Sequence, residues 1–504
     1  MYYPTEKEFI KKSKKGNLIP VYKEIYADFE TPLSAFVKID DKKNSYLLES
    51  VEGEERIGRY SFLGSRPSVI IESKAGLLTI TSKDKKQSIS KRVDNPLDEI
   101  EKFMKNFKFV PAEGLPLFCG GLVGYIGYDA IRFIEDIPDN CKDDLNVPDI
   151  KLLLTDTILI FDRVKHSIKI VSNAHLKDKS AKEAKRAYQE AVKNIDGIIR
   201  MLRTPLKGFM PHLEDVVYSK TAGSKKQRIL KSNVKKSEFK RAVIKAKEYI
   251  KAGDIIQAVL SQRFVADYKG DPLSVYRALR TINPSPYMFF LSFGDLKLIG
   301  SSPEIMVRCE DGIAEIRPIA GTRPRGRDDK EDKKLEHELL KDPKERAEHL
   351  MLVDLGRNDL GRACLPGTVK VSEFMAIERY SHVMHIVSDC VGKLAPKNNV
   401  HKLLKASFPA GTVAGAPKIR AMEIIDELET TKRGPYAGCV GYFSFSGNLD
   451  TCITIRTILL KDYKAYVQAG AGIVADSKPE SEYQETVNKA MGMFKAIAMA
   501  KAME

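Results

Sequence analysis

The chain has 504 residues, of which 43% are hydrophobic and 30% charged, and its formal net charge at pH 7 is +15. This length exceeds what one core usually organises, so we expect two domains or one large composite fold, and the composition excludes a disordered chain and is not that of a membrane protein. The lysines and arginines are dispersed along the sequence, which argues against a nucleic-acid-binding face.

The N-terminus carries acidic and basic residues without an apolar segment, so the sequence predicts no signal peptide. The most apolar glycine-rich stretch, residues 115–130, is interrupted by Asp129 and is too short to cross a bilayer as a helix. The seven cysteines are scattered, with no Cys-x-x-Cys pair typical of zinc or redox motifs. We therefore expect a cytoplasmic protein with mostly reduced cysteines.

The first two hundred residues alternate strand-like apolar runs with polar turns. These runs occupy residues 45–50, 68–73, 76–81, 158–162 and 167–171. Their pattern predicts a half-buried antiparallel sheet. A Lys/Glu-rich amphipathic helix is predicted at about 178–203, followed by a Pro-, Gly- and Lys-rich linker at 204–236. We place the boundary between an N-terminal half, 1–225, and a C-terminal half, 226–504, within this linker.

After the linker, the sequence predicts a helix that Ser237 caps and Gly253 ends. Its apolar positions share one face: Phe239, Val243, Ala246 and Ile250. Strands and helices mix from there to the C-terminus, without an internal repeat.

Two further predicted helices present acidic side chains at helical spacing. The first carries Glu345, Glu348 and His349 at positions i, i+3 and i+4, and the second carries Glu482, Glu485 and Lys489 on one face. Carboxylates without neighbouring cysteines favour a hard, oxygen-preferring ion such as Mg²⁺. A solvated acidic face is the more common cause of such spacing, so the pattern alone does not decide.

Three glycine-rich segments, at 321–323, 411–418 and 469–473, are suited to backbone contact with an anion, although each taken singly is more often a turn. None matches a nucleotide-binding loop. Arg456 is predicted to lie within an apolar strand, where an unpaired charge is costly. A bound carboxylate or a structural salt bridge would satisfy it equally well.

Several segments resemble the chorismate-utilising enzymes, both in their amino-acid sequences and in their order along the chain. In the C-terminal half they are residues 253–264, 283–290, 300–304, 317–326, 348–355 and 411–418. In the N-terminal half, Leu-Leu-Glu-Ser at 47–50 and the glycine-rich segment 120–129 resemble the regulatory half of the anthranilate synthase component I group. The resemblance implies that family's α+β fold, in which large antiparallel β-sheets pack as a sandwich with outer helices and the two halves interleave.

Two positions separate the branches of this family by nucleophile. Aminodeoxychorismate synthases typically carry lysine where this chain has Ala320, and isochorismate-forming members place a water-activating lysine where it has Gln257. The resemblance therefore implies ammonia as the nucleophile. The implied reaction converts chorismate and ammonia to anthranilate and pyruvate through aminodeoxyisochorismate, the first step of tryptophan biosynthesis. The alternatives are aminodeoxychorismate synthase component I and, from another class, a basic nucleic-acid-binding protein.

The resemblance also implies roles for individual residues. It implies that His385, Glu304 and Thr412 are catalytic and that Glu348 and Glu485 bind Mg²⁺. Substrate contacts fall to Gly321, Thr322, Tyr436, Arg456, Gly470, Gly472 and Lys489. A tryptophan feedback pocket, distinct from the active site, falls to Glu49, Ser50, Pro286, Met288 and Cys452. We expect Glu304 to protonate the leaving hydroxyl and His385 to assist pyruvate elimination as base or electrostatic support, whereas its neighbour His382 matches no functional position.

Partners are implied in the same way. The chain lacks the Gly-x-Cys-x-Gly segment of class I glutaminases. The resemblance therefore implies a separate glutamine amidotransferase subunit that delivers ammonia, joined with this chain in a heterotetramer, and tryptophan as an inhibitor.

Overall fold

The computed structural model describes residues 1–50, 58–82, 88–206, 231–380 and 383–503. Within these ranges the strands form two antiparallel sheets of twelve strands each. The predicted boundary at 225/226, residues 207–230 of the predicted linker and His382 lie outside the described residues.

The first sheet contains strands β1 (Leu18–Tyr26), β2 (Asn44–Glu49), β3 (Tyr60–Ser65), β9 (Thr157–Asp162), β10 (Ser167–His175), β11 (Lys231–Ser232), β12 (Gln257–Asp267), β13 (Tyr287–Phe293), β14 (Leu296–Ser302), β20 (Gly415–Ala416), β23 (Thr457–Lys461) and β24 (Lys464–Ile473). The second contains β4 (Val69–Lys74), β5 (Leu77–Ser82), β6 (Ser88–Arg92), β7 (Gly121–Ile126), β8 (Ile150–Thr155), β15 (Ile305–Glu310), β16 (Ile313–Ile316), β17 (Ile319–Pro324), β18 (Lys370–Arg379), β19 (Val383–Lys393), β21 (Cys439–Ser444) and β22 (Leu449–Ile453).

The described helices are α1 (Glu6–Lys12), α2 (Pro32–Ile39), α3 (Pro96–Met104), α4 (Ala181–Leu202), α5 (Lys236–Ala252), α6 (Pro272–Ile282), α7 (Asp329–Lys341), α8 (Pro343–Gly361), α9 (Val400–Ser407), α10 (Gly411–Ala414), α11 (Lys418–Leu428) and α12 (Pro479–Ala502), with a 3-10 helix at Tyr128–Phe133. No helix in the described part of the chain is long and apolar enough to cross a membrane. All seven cysteines are free thiols, and six of them are buried.

Both sheets contain strands from before residue 207 and after residue 230. The first runs β1-β10-β9-β3-β2-β13-β14-β23-β24-β12-β11, with β20 also on β12, and the second runs β17-β19-β16-β15-β22-β21-β7-β8-β4-β5-β6, with β18 on β19. The N-terminal strand β2 pairs with β13, placing Glu49 opposite Met288. In the second sheet, β7 pairs with β21. Each sheet is therefore completed by strands from distant parts of the sequence.

The two sheets pack face to face through a shared apolar core. Tyr46 and Phe289 of the first sheet contribute to it together with Val123 and Tyr442 of the second. Helices α1, α2, α4, α6 and α12 cover the outer face of the first sheet. Helices α3, α8 and α9 pack with the second sheet. The predicted α+β sandwich with outer helices is confirmed.

The prediction of one half-buried N-terminal sheet is wrong. Strands β2, β9 and β10 belong to the first sheet, whereas β4 and β5 belong to the second. Five consecutive residues of β9, at positions 158–162, are buried. This follows because the first sheet faces the second on one side and helices on the other, which removes the polar alternation of a one-sided sheet.

The predicted helix after the linker is present as α5, and it begins slightly earlier than expected. Its N-cap is Lys235 instead of Ser237, and the Glu238 carboxylate accepts the Lys235 backbone N–H at 3.1 Å. It ends at Gly253, whose φ of 86° lies in the left-handed region that glycine adopts without strain.

Candidate active site

A cavity of about 620 Å³ lies within the C-terminal half, between strands β12, β17, β19 and β24 and helices α8, α10 and α12. We call it the carboxylate cavity. All twelve residues predicted for catalysis, substrate contact and metal binding line it: Glu304, Gly321, Thr322, Glu348, His385, Thr412, Tyr436, Arg456, Gly470, Gly472, Glu485 and Lys489. The fold thus brings together side chains that are up to 185 positions apart in sequence.

Four carboxylates reach this cavity from two helices. Glu345 and Glu348 come from α8, and Glu482 and Glu485 come from α12. Burial raises the pKa of Glu348, and the charges of Glu345 and Glu485 raise it further. The pKa of Glu482 is raised by burial and also by Glu485. Crowded, partly buried carboxylates of this kind repel one another, and a cation among them would relieve that repulsion.

The carboxylates in this cavity suit Mg²⁺, which keeps several water ligands, better than they suit a metal ion whose ligands all come from the protein. Among the described residues, no three His, Cys, Asp or Glu side chains are grouped so as to hold a metal ion. Mg²⁺ usually takes one or two carboxylates and keeps its other positions for water and substrate. One oxygen of Glu348 lies 3.4 Å from Nε2 of Gln257, and one oxygen of Glu485 pairs with Nζ of Lys489 at 2.6 Å. The pair Glu348 and Glu485 therefore fits a loosely held Mg²⁺.

His385 is oriented by its contacts with β17. Its Nδ1 lies 2.9 Å from the Gly321 carbonyl oxygen and 3.1 Å from Oγ1 of Thr322. Because a carbonyl oxygen only accepts, we assign the ring proton to Nδ1, which leaves Nε2 as the basic nitrogen. Burial lowers the pKa of His385, so the neutral ring predominates at neutral pH.

Glu304 follows β14 and is a buried acid. Glu304 is only 8% exposed. Burial raises the pKa of Glu304 to about 8, against the opposing influence of Thr412 and Lys489. A carboxyl group in this environment keeps its proton at neutral pH and can donate it.

Arg456 does not lie within a strand, and that prediction is wrong. It stands between β22 and β23 with a φ of 51°, because the chain makes a left-handed turn where it passes from the second sheet to the first. Burial lowers the pKa of Arg456, and in the part of the chain that the structure describes no carboxylate forms an ion pair with it. Burial also raises the pKa of Tyr436 to about 12, so its hydroxyl stays protonated. Both side chains can therefore donate to an anion.

A side chain at either of two glycines of β24 would press against a residue that lines the cavity. A Cβ at Gly470 would lie 2.8 Å from the hydroxyl oxygen of Tyr436, and one at Gly472 would lie 2.5 Å from Nε2 of Gln257. Glycine at both positions therefore preserves space beside Tyr436 and Gln257.

The helical spacing predicted that His349 would lie beside Glu345 and Glu348, and this prediction is wrong, because His349 does not line the cavity. It is fully buried, and its Nε2 lies 2.7 Å from Oγ of Ser388. Successive residues of a helix point about 100° apart, so Glu348 can face the cavity while His349 faces the sheet.

Sequence reasoning missed other lining residues, among them Lys344, Gln468 and Ser477. Lys344 could have been identified from its position in the sequence. It stands in the first turn of α8, where the helix dipole disfavours a cation, and such a placement suggests another function for the charge.

A second cavity, of about 790 Å³, lies between the two sheets, and we call it the inter-sheet cavity. All five residues predicted for tryptophan line it: Glu49, Ser50, Pro286, Met288 and Cys452. Its walls include the aromatic rings of Phe62, Phe118 and Tyr442, and Tyr287 donates to Asp450 at 2.8 Å on its polar side.

Glu49 is held firmly at the wall of the inter-sheet cavity. The Tyr276 hydroxyl donates to it at 2.5 Å. The guanidinium groups of Arg163 and Arg280 lie 3.6 and 3.5 Å away. These contacts compensate the buried charge and fix the end of β2.

Comparison with known proteins defines the class. The model of the chorismate binding enzyme family matches residues 43–495. The chain is 50% identical over 502 residues to anthranilate synthase component 1 of Acetivibrio thermocellus, covering 99% of both chains. It is 49% identical to that of Aquifex aeolicus (strain VF5), covering 98% of this chain and 97% of the relative.

Solved structures agree with this relationship. Anthranilate synthase component I from Streptococcus pneumoniae TIGR4 is 39% identical with a TM-score of 0.75, covering 86% of this chain and 92% of that one. The isochorismate synthase MenF from Escherichia coli, 19% identical and covering 98% of both chains, shares the fold with a TM-score of 0.68. The chain belongs to the chorismate-binding enzyme family. Within it, the full-length similarity is to proteins named anthranilate synthase component 1, and the resemblance inferred from sequence is confirmed.

Proposed function

We propose that the protein converts chorismate and ammonia to anthranilate and pyruvate, the first step of tryptophan biosynthesis. The observation that carries this proposal is the composition of the carboxylate cavity. Ala320 and Gln257, which replace the lysines of the other branches, both line it. Of the lysines that do line it, Lys489 is held by Glu485 and by the Gly470 carbonyl at 3.0 Å, and Lys344 is exposed. The nucleophile is then the small molecule ammonia.

Chorismate carries two carboxylates, and the cavity offers two kinds of partner for them. Tyr436 and Arg456, with the close backbone at Gly470 and Gly472, would hold the enolpyruvyl carboxylate. Mg²⁺ would be held by Glu348 and Glu485 and, when bound, supplies Lewis-acid stabilisation at the ring carboxylate. Gly321, Thr322 and Thr412 would contact the ring and its carboxylate from β17 and α10.

In the first step, ammonia forms a bond to C2 of the ring and the C4–O bond breaks. Glu304 gives its proton to the departing oxygen, so the hydroxyl leaves as water, and the new ammonium group then loses a proton. The product is aminodeoxyisochorismate. Burial of Glu304 supports this assignment, since it keeps the carboxyl protonated near pH 7.

In the second step, Nε2 of His385 takes the proton from C2. The C3–O bond breaks, its electrons leave with enolpyruvate, and the ring becomes aromatic. Enolpyruvate then takes a proton on its methylene carbon to give pyruvate. The contact of Nδ1 with Gly321 supports this role, because it leaves Nε2 basic.

Two further parts of the proposal concern partners. Ammonia would come from a separate glutamine amidotransferase subunit, in keeping with relatives named component 1, and the two subunits would form a heterotetramer. Tryptophan would bind in the inter-sheet cavity, whose aromatic walls suit an indole ring. Because residues of both sheets line that cavity, its occupant can bias how the sheets pack.

The test is direct. Purified protein is incubated with chorismate, ammonium and Mg²⁺, and product is followed by anthranilate fluorescence and identified by mass. We expect anthranilate to form, and we expect its formation to be abolished by EDTA and reduced by tryptophan. Aminodeoxychorismate or isochorismate as the product, or no consumption of chorismate, would refute it.

A further inference from the structure

Behind the wall of the carboxylate cavity lies a buried ion pair between Arg433 and Glu429. Arg433 is only 2% exposed. Its Nε and Nη2 donate to the two carboxylate oxygens of Glu429 at 2.9 and 2.6 Å. Neither residue is among those that line the cavity.

The other donors of Arg433 bind the backbone of the cavity wall. Its Nη1 donates to the carbonyl of Val413 at 2.8 Å, and its Nη2 donates to that of Val259 at 2.6 Å. Val413 follows Thr412 in α10, and Val259 lies on β12; both line the cavity. The guanidinium carbon also lies 5.7 Å from the ring centre of Tyr436.

Glu429 extends the same support to β12 and β24. One of its oxygens accepts from both the backbone N–H and the hydroxyl of Ser261, each at 2.8 Å. Ser261 pairs with Gly470 across the sheet. The Ser261 hydroxyl also accepts from Nε2 of Gln468, a lining residue, at 2.9 Å.

We infer that Arg433 is a positioning residue for the proposed reaction, which it serves without touching the substrate. It joins the turn that carries Thr412, the strand β12 and the ring of Tyr436 into one rigid wall for the carboxylates of chorismate. This inference rests on the proposed function, because it is chorismate that these wall residues would bind.

The geometry requires arginine. Four hydrogen bonds leave its planar guanidinium toward three different partners. Lysine carries its donors on one atom and cannot span Glu429, Val413 and Val259 with the same geometry.

The experiment compares Arg433→Lys with a matched control, Arg263→Lys. Arg263 is also buried, at 4% exposed, pairs with Asp144 and donates to the Lys432 carbonyl at 3.1 Å. We expect Arg433→Lys to raise the KM for chorismate about tenfold and to lower kcat/KM by up to about 100-fold, since small misplacements of binding groups are costly. The KM for ammonium and the Mg²⁺ activation constant should stay within about twofold of wild type, because Arg433 bonds to neither Glu348 nor Glu485.

Arg263→Lys should lower the melting temperature comparably while leaving the KM for chorismate within about twofold. The inference is overturned if Arg433→Lys keeps the wild-type KM for chorismate, or if both variants raise it equally. Should Arg433→Lys fail to fold, the double variant Arg433→Met with Glu429→Met removes both charges together and leaves no unpaired buried ion. It should show the same rise in KM, and a wild-type KM in a folded double variant overturns the inference. A wild-type protein that consumes no chorismate would instead refute the proposed function itself.

Discussion

The carboxylate cavity and the inter-sheet cavity differ in how the chain builds them. All residues that line the carboxylate cavity come from positions 257–493, so the C-terminal half supplies it alone. The inter-sheet cavity takes residues 48–50, 59, 60, 62, 116–118 and 164 from the N-terminal half and residues 286–289, 308, 310, 315, 440–442, 450 and 452 from the C-terminal half. The inter-sheet cavity therefore forms only where strands of both halves meet, as in the pairing of β2 with β13, whereas the carboxylate cavity needs no lining residue from the N-terminal half. In the proposed function, the carboxylate cavity is the catalytic site and the inter-sheet cavity is the regulatory site.

The largest expected effect comes from removing one of the two carboxylates proposed to bind Mg²⁺. Glu348→Gln should lower kcat/KM for chorismate by roughly 1,000-fold, since Lewis-acid stabilisation is worth several kcal/mol. Tryptophan binding to the inter-sheet cavity, measured by calorimetry, should be unchanged. Glu338→Gln on the exposed face of α7 is the control and should be fully active. Full activity of Glu348→Gln would remove Glu348 from the proposed metal site.

Replacing the buried acid should have the next largest effect. Glu304→Gln should lower kcat by roughly 100-fold, because a positioned general acid contributes at least that much. Wild-type activity should decrease as pH rises through about 8, where Glu304 loses its proton, and the variant should lack this decrease. A pH–rate profile with no decrease above pH 8 in the wild type would contradict the assignment.

The same pKa also predicts how stability depends on pH. Because the folded-state pKa of about 8 lies above the ordinary value of 4.5, the folded protein binds the extra proton between these values. Folding stability therefore decreases as pH rises from 4.5 through 8. Glu304→Gln should flatten the dependence of the melting temperature on pH over this range, and an unchanged slope would show that other groups cause it.

Filling the inter-sheet cavity should separate regulation from catalysis. Ser50 lies at the end of β2, beside Glu49, and lines this cavity. Ser50→Phe should weaken tryptophan inhibition by about 30-fold, which corresponds to an overpacking cost of about 2 kcal/mol. Activity without tryptophan should stay within about twofold of wild type. Equal losses of activity and inhibition would mean that the two cavities cannot be separated in this way.

The smallest expected effect concerns the glycine beside Tyr436. Gly470→Ala places a methyl group against the tyrosine hydroxyl, and we expect a roughly tenfold rise in the KM for chorismate. The control is Gly492→Ala on α12, where nothing lies within 4 Å of the added carbon and alanine favours the helix. It should leave the KM unchanged and slightly raise the melting temperature. A wild-type KM in Gly470→Ala would show that Tyr436 can move without loss.

The sequence predicted the membership of the carboxylate cavity better than it predicted the sheets. Glu304, His385 and Tyr436 lie far apart in the sequence, and the family resemblance identifies each position without any knowledge of strand pairing. Pairings such as β7 with β21 leave no trace in a period-two pattern, so the division into two sheets was missed.

Local patterns failed for a related reason. The left-handed turn at Arg456 occurs where the chain crosses from one sheet to the other, and the apolar residues around it look like one strand. His349 has the spacing of a ligand, but its environment is set by Ser388, which is 39 positions away. In both cases the deciding contact is distant in sequence.

The pairing of β2 with β13 also has a consequence for biosynthesis of the chain. Glu49 cannot pair with Met288 until Met288 has left the ribosome, about 240 residues later. At ordinary elongation rates this delay is roughly 10–50 s, during which the nascent β2 has one unpaired edge and an exposed apolar face. The first sheet can therefore be completed at this edge of β2 only after the second half of the protein has been synthesised.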